Sequence, residues 1–236
     1  MARQLKIKIF ADGADQQGML EMYKNPRIAG FTTNPTLMRK AGISDYRAFA
    51  KAILATIPDR PISFEVFADE FDQMERQARE IQSWGRNVYV KIPVMNTQKK
   101  PAYELVKHLS SAGVQLNVTA LLHLDQVRAV TSALAGGAPS VISVFAGRIA
   151  DTGVDPMPLM SAALEVVRPH EQIELLWASP REVLNIYQAD EVGCHIITAT
   201  NDLIKKLSLA EKDLLEFSHE TVKMFYDDAR AAGYQL

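Results

Sequence analysis

Short apolar runs recur along the chain at fairly even intervals. They are residues 5–11 (LKIKIFA), 28–33 (IAGFTT), 62–68 (ISFEVFA), 88–94 (VYVKIPV), 116–122 (LNVTALL), 141–147 (VISVFAG), 173–179 (IELLWAS) and 195–200 (HIITAT). Each has the length and near-continuous apolarity of a buried parallel strand. The stretches between them follow a helical period. In 44–57, Tyr46, Phe49, Ala50, Ile53, Leu54 and Ile57 fall on one helical face, and Ser44 is the expected N-cap. In 71–84, Phe71, Met74, Ala78, Ile81 and Trp84 share a face, and Gly85 stands just past the expected end.

Eight such strands alternating with helices in 236 residues predict an α/β fold, a (β/α)8 TIM barrel. The alternative, a doubly wound open sheet, usually carries a glycine-rich first turn, and the FADGAD turn here is not G-x-G-x-x-G. With no linker, low-complexity tract or charge block, residues 1–236 read as a single barrel domain, with 208–236 as a C-terminal helical extension. Val222, Phe225, Tyr226 and Ala229 line one side of that extra helix, so it is expected to cover the barrel or a neighbouring subunit.

Composition narrows the classes. The apolar share is 47%, the charged share 23% and the net charge −2. No basic run offers a footprint for nucleic acid or an anionic membrane, and no apolar stretch approaches the roughly 20 residues that span a bilayer. The first ten residues alternate charged and apolar types and lack the core of a signal peptide. A single cysteine, Cys194, allows no internal disulfide and fits a reducing, cytoplasmic setting. The five histidines (108, 123, 170, 195 and 219) are scattered without metal-ligand spacing, which argues against a metal enzyme.

In such barrels the chemistry sits at the C-terminal ends of the strands. The polar residues that interrupt the runs there are Asp12, Thr32, Thr33, Asn34, Glu65, Lys91, Asn117, Thr119, Ser143, Arg148, Ser179 and Arg181. Each has a bland reading. Asp12 reads equally as a cap of the next helix, Asn34 as an N-cap with Pro35 at the first helical position, and Glu65 as the buried ion-pair partner of Lys91. Lys91 is the hardest to dismiss, because it stands between Val88, Tyr89, Val90, Ile92 and Val94. Removing an amine from water disfavours its charged form, and a neutral amine attacks a carbonyl carbon. The resulting imine is an electron sink that lets the neighbouring C–C bond break. Such chemistry needs an acid/base near the substrate hydroxyls, for which Asp12 or Glu65 qualifies. It needs amides and hydroxyls to fix a polyol, which Asn34, Asn117, Thr119 and Ser143 supply. Arg148 or Arg181 would hold an anionic end.

The motifs ADGAD, GFTTNPTL, FEVFA, VYVKIPV, LNVTAL and ISVFAGRI, in this order, resemble the successive strand motifs of the transaldolase family, from Phe10 to about Ala199. The spacing is similar to the short branch, which includes the fructose-6-phosphate aldolases. The resemblance implies a Schiff base on Lys91 and proton transfer by Asp12. It implies a catalytic water held by Glu65 with Thr119, substrate hydroxyls bound by Asn34, Asn117 and Ser143, a phosphate on Arg148, and sugar phosphate substrates. Thr32, Phe145, Ser179 and Arg181 complete the expected substrate-binding set. It implies no cofactor and a homo-oligomer, commonly a decameric ring, with the C-terminal helix reaching a neighbour. Family transaldolases tend to carry Glu and Phe at the positions of Glu65 and Phe145, where the aldolases carry Gln and Tyr. This chain has the transaldolase pair.

The run WASPREV departs from the family pattern, because Pro180 replaces the usual aromatic. Pro180 is expected at the first position of the next helix, with the amides of Arg181 and Glu182 open to an anion. Arg148 is therefore expected to hold the anionic end more firmly than Arg181. The leading expectation is transfer of a three-carbon dihydroxyacetone unit between sugar phosphates. The rivals are a lyase that releases dihydroxyacetone, a transaldolase of an unusual sugar, and a non-catalytic sugar-binding barrel.

Overall fold

The computed structural model describes residues 4–236. Strands and helices alternate as β1 (Lys8–Asp12), α1 (Gln16–Tyr23), β2 (Ile28–Thr32), α2 (Pro35–Lys40), α3 (Tyr46–Thr56), β3 (Ile62–Glu65), α4 (Phe71–Gln82), β4 (Val88–Pro93), α5 (Tyr103–Ser111) and β5 (Leu116–Leu121). They continue as α6 (Leu124–Leu134), β6 (Ser140–Val144), α7 (Ala146–Ala150), α8 (Met157–Val167), β7 (Ile173–Trp177), α9 (Val183–Val192), β8 (Ile196–Thr200) and α10 (Asn201–Lys205). A 3-10 turn (Lys206–Leu209) then leads to α11 (Leu214–Ala231).

The strands close in sequential order, β1 to β8, with every neighbour parallel and β8 pairing with β1. This is the (β/α)8 barrel that the alternating runs predict. Two layers of core follow from the pleat. Val88, Val90 and Ile92 of β4 belong to the large cluster under the helices, whereas Tyr89 joins Phe10, Val141, Leu176 and Ile196 inside the barrel. The lumen is tight: a Cβ on Gly30 would meet the Phe10 ring at 2.5 Å, so a larger residue there would have to displace that ring. Above this apolar plug lies the polar layer that contains Lys91. The lysine thus belongs to the lumen face of an alternating strand.

Several local expectations need correction. Asp45, not Ser44, caps α3, its carboxylate accepting the Ala48 N–H at 2.9 Å. A carboxylate is an equally good acceptor for that orphan donor, and it stands directly before the first helical residue. Helix α4 closes at Ser83, so Gly85 does not cap it. The sixth run ends earlier than its apolarity suggests: β6 stops at Val144 and Ala146 already starts α7. Pro180 is not the first residue of α9. That helix starts at Val183, because Glu182 and Asn185 form a capping box.

Helix α11 forms where the periodicity places it but buries none of its residues within the chain. Leu214 is 80% exposed and Phe225 62%. Among the described residues, no helix is long and apolar enough to cross a membrane.

Candidate active site

Asp12 ends β1, Glu65 ends β3, and Lys91, Asn117 and Ser143 point into the lumen from β4, β5 and β6. Parallel registry aligns Glu65 with Lys91 and Lys91 with Asn117. The three groups therefore share one level because the strands that carry them are in step. Together with Thr32, Asn34, Thr119, Phe145, Arg148 and Ser179 they line a cavity of about 400 Å³ at the C-terminal mouth.

Lys91 is 7% exposed. Its Nζ lies 3.1 Å from Glu65 Oε2 and donates to the Thr33 carbonyl at 2.9 Å. The bland reading of Glu65 as an ion-pair partner is thus correct, and it coexists with a cavity open to a ligand. Asp12 does not cap a helix; Asp15 does, accepting the Gly18 N–H at 2.7 Å. Asp12 Oδ1 instead accepts the Thr32 hydroxyl at 2.7 Å, and Oδ2 accepts Asn34 Nδ2 at 3.4 Å. Burial pushes the Asp12 carboxyl above the ordinary aspartate value, and the nearby Glu65 charge adds to that. The Lys91 charge and the hydrogen bonds from Thr32 and Asn34 oppose the shift without cancelling it.

Asn34 serves two roles at once. Its Oδ1 caps α2 by accepting the Leu37 N–H at 3.0 Å, with Pro35 as the first helical residue, and this fixes its Nδ2 toward Asp12. Asn117 donates to Ser63 Oγ at 3.0 Å and accepts the Ser143 hydroxyl at 2.7 Å, so this side of the cavity is held by a lateral chain. Thr119 Oγ1 is buried and makes no hydrogen bond to any described residue.

At the rim, the Arg148 guanidinium stands 5.7 Å from the Phe145 ring centroid. Ser179 adopts a left-handed backbone at φ 63°, as does Ala120 at φ 67°, and both face the cavity. The Ser179 loop presses on α7 so closely that a Cβ on Gly147 would meet the Ser179 carbonyl oxygen at 1.5 Å. Arg181 does not line the cavity. Its guanidinium pairs with both carboxylate oxygens of Asp151, with Nε to Oδ1 at 2.9 Å. The expected open amides are also taken, because the Arg181 and Glu182 N–H groups donate to Asn185 Oδ1 at 2.7 and 3.2 Å. This corrects the expectation of an anion subsite there.

Thr198 lines the cavity too, sharing a 2.5 Å hydroxyl contact with Thr32. It interrupts the eighth apolar run just as Ser143 interrupts the sixth, so the same criterion applied to that run would have found it. Thr36, Leu37 and Ala120 also line the mouth. Their types carry no signal in the sequence.

The chain matches the family described as Transaldolase/Fructose-6-phosphate aldolase over residues 9–236. It is 34% identical over 202 residues to a probable transaldolase of Dehalococcoides mccartyi, covering 85% of this chain and 90% of that one. It is 33% identical over 233 residues to a probable transaldolase of Hyphomonas neptunium, covering 98% and 100%. Among solved structures, 2,3-dimethylmalate lyase superposes with a TM-score of 0.57 at 13% identity, over 97% of this chain and 84% of that one. A native KDPGal structure does so at 0.56 and 13%, over 94% and 100%. At such identities these structures speak for the barrel alone. With the barrel closed and the match running nearly its full length, the chain belongs to the transaldolase/fructose-6-phosphate aldolase family.

Proposed function

We propose that the protein is a class I transaldolase that moves a three-carbon dihydroxyacetone unit between sugar phosphates through an imine on Lys91. The observation that carries this is one buried amine with two carboxyl groups at the mouth of a barrel. Glu65, 3.1 Å from Nζ, is the base nearest the amine. Glu65 takes a proton from Lys91, the freed amine adds to the ketose C2 carbonyl, and the same proton leaves with the hydroxyl as water to give the protonated imine. Asp12 takes the proton of the C4 hydroxyl as the C3–C4 bond breaks, the aldehyde leaves, and the electron pair stays on the enamine. An acceptor aldehyde then adds at the same carbon and recovers the proton from Asp12. Water hydrolyses the imine, and the Thr119 hydroxyl, which lines the same cavity as Glu65 and has no hydrogen-bond partner among the described residues, suits it as a holder of that water. A carboxyl raised above the ordinary range is better matched to taking and returning a proton near neutrality than an unperturbed one.

Phe145 favours transfer over release. It supplies no hydroxyl to protonate the enamine, so the three-carbon unit waits for an acceptor. Supplying fructose 6-phosphate alone and then with a four-carbon aldose phosphate separates the two readings. Transfer predicts a product only with the acceptor present, and free dihydroxyacetone from donor alone would establish the lyase.

Arg148 is the rim cation we assign to the anionic end. A charge-assisted contact contributes about 1.5–3 kcal/mol. Arg148→Ala should therefore raise KM for a phosphorylated donor about 10- to 100-fold and leave an uncharged donor nearly unaffected. Arg181→Ala should change KM for neither. Equal losses for both donors in the Arg148 variant would assign it to the shape of the mouth.

The bare stripe of Val222, Phe225 and Tyr226 on α11 supports assembly into a homo-oligomer, because an exposed apolar face of that size is an association liability. Light scattering should show a particle well above a dimer, and a stable monomer would reject it. Work in a reducing cytoplasm is consistent with the single cysteine. Burial pushes the Cys194 thiol up to about 12, which leaves it unreactive.

A further inference from the structure

Strands β2 and β3 pair only briefly, through Phe31 with Ile62 and Thr32 with Ser63. The Thr33 N–H donates to the Ser63 carbonyl at 3.1 Å. In a continuing parallel ladder the next rung would run from the Glu65 N–H to the Thr33 carbonyl. The Glu65 N–H instead donates to the Tyr46 hydroxyl oxygen at 2.8 Å, and that hydroxyl donates to the Glu65 carbonyl at 3.3 Å. The Thr33 carbonyl is left for Lys91 Nζ, at 2.9 Å. On the far side of β3, the Val66 N–H donates to the Lys91 carbonyl at 3.1 Å, which ties the end of β3 to β4. A phenol from α3 thus takes both backbone polar groups of Glu65 where the sheet opens, and the opening supplies the acceptor that the amine uses.

We propose that Tyr46 is a positioning residue for the reaction: its hydroxyl sets the height of Glu65 beside Lys91 and keeps the Thr33 carbonyl free for the amine. The ring is held edge-on by Phe67 at 4.5 Å, Trp84 at 5.6 Å and Phe64 at 6.0 Å between centroids, so the hydroxyl has little freedom to move. Burial pushes the phenol well above its ordinary value, and it therefore keeps its proton, and its double hydrogen bond, through the neutral and mildly alkaline range. Without the hydroxyl, the Glu65 N–H is unpaired, and the Thr33 carbonyl is its nearest ladder acceptor. Closing that rung competes with Lys91 for the same oxygen and turns the Glu65 side chain away from Nζ. A purely packing role would need only the ring.

The inference rests on the imine-based transfer proposed above. Tyr46→Phe keeps the ring and removes the hydroxyl. With fructose 6-phosphate and a four-carbon aldose phosphate, it should lower kcat about 10- to 100-fold with KM within about twofold, as a displaced catalytic group does. The rate at which borohydride traps the Lys91 adduct should fall with it. Phe67→Leu disturbs the same aromatic cluster but leaves the hydroxyl, so it should lower the thermal midpoint and leave kcat unchanged. In a Glu65→Gln background, adding Tyr46→Phe should change kcat much less than in the wild type, because the hydroxyl acts through Glu65. Wild-type kcat in Tyr46→Phe, an equal kcat loss in Phe67→Leu, or full additivity with Glu65→Gln each overturns the positioning role while the transfer reading stands. A wild-type protein that forms no adduct on Lys91 overturns the transfer reading and this role with it.

Discussion

Lys91→Met is expected to abolish turnover, with a loss on the order of 10⁴–10⁶-fold, the scale seen when the nucleophile of a covalent mechanism is removed. Methionine keeps much of the stem that fills the lumen and removes only the amine, so the barrel should still fold. Its stability should drop, because Glu65 then loses its 3.1 Å partner in a site where little water reaches it. The decisive measurement is chemical. Borohydride added with a ketose donor should fix a reduced three-carbon ketol to the peptide that holds Lys91, and the Lys91→Met protein should take up no label. Lys100 and Lys6 lie outside the cavity lining and serve as internal controls in the same digest. Label on another lysine, retained after Lys91→Met, would remove the imine from this position.

The sequence discloses Lys91 for a specific reason. The lumen of a small barrel alternates with its helix-facing side, so one polar residue in an apolar strand either points into a functional layer or is an error of folding. Val88, Val90 and Ile92 pack under the helices while Tyr89 and Lys91 turn inward. The same reasoning makes Asp12, Glu65, Asn117 and Ser143 legible, since each follows or interrupts an apolar run. What stays hidden depends on distance along the chain. Arg181 reads as an anion ligand until Asp151, thirty residues earlier, is brought against it. Pro180 reads as a helix start until Glu182 and Asn185 are seen to cap one another. Tyr46 reads as one apolar position among six in 44–57, and only the parting of β2 from β3 gives its hydroxyl a task. Helix α11 is legible as a helix, but none of its exposed apolar face is buried against the described residues.

Asp12→Asn should separate two properties that the wild-type residue combines. Turnover should fall about 10²–10⁴-fold, the usual contribution of a positioned proton-transfer group. Borohydride should still trap the unbroken ketose on Lys91, because the amine and Glu65 are untouched. Stability should move the other way. The folded-state pKa of Asp12 is raised, chiefly by burial, so the folded protein holds this proton more tightly than the unfolded chain does. The stability linked to that proton is fully present below the ordinary aspartate value. It is lost as pH rises through the folded value, so charging this buried carboxylate is a net liability to the folded state. Asparagine removes that liability. It keeps an oxygen for the Thr32 hydroxyl but loses the contact with Asn34, whose amide orientation is pinned by its cap on Leu37. One neutral hydrogen bond contributes about 0.5–1.5 kcal/mol, and the upward shift already stands net of the Asn34 bond to the charged form. Melting the two proteins side by side should give a higher midpoint for Asp12→Asn at neutral pH, with the gap closing toward about pH 4. A lower midpoint at neutral pH, with near wild-type turnover, would make Asp12 a structural hub for Thr32 and Asn34, and the proton would pass to Glu65.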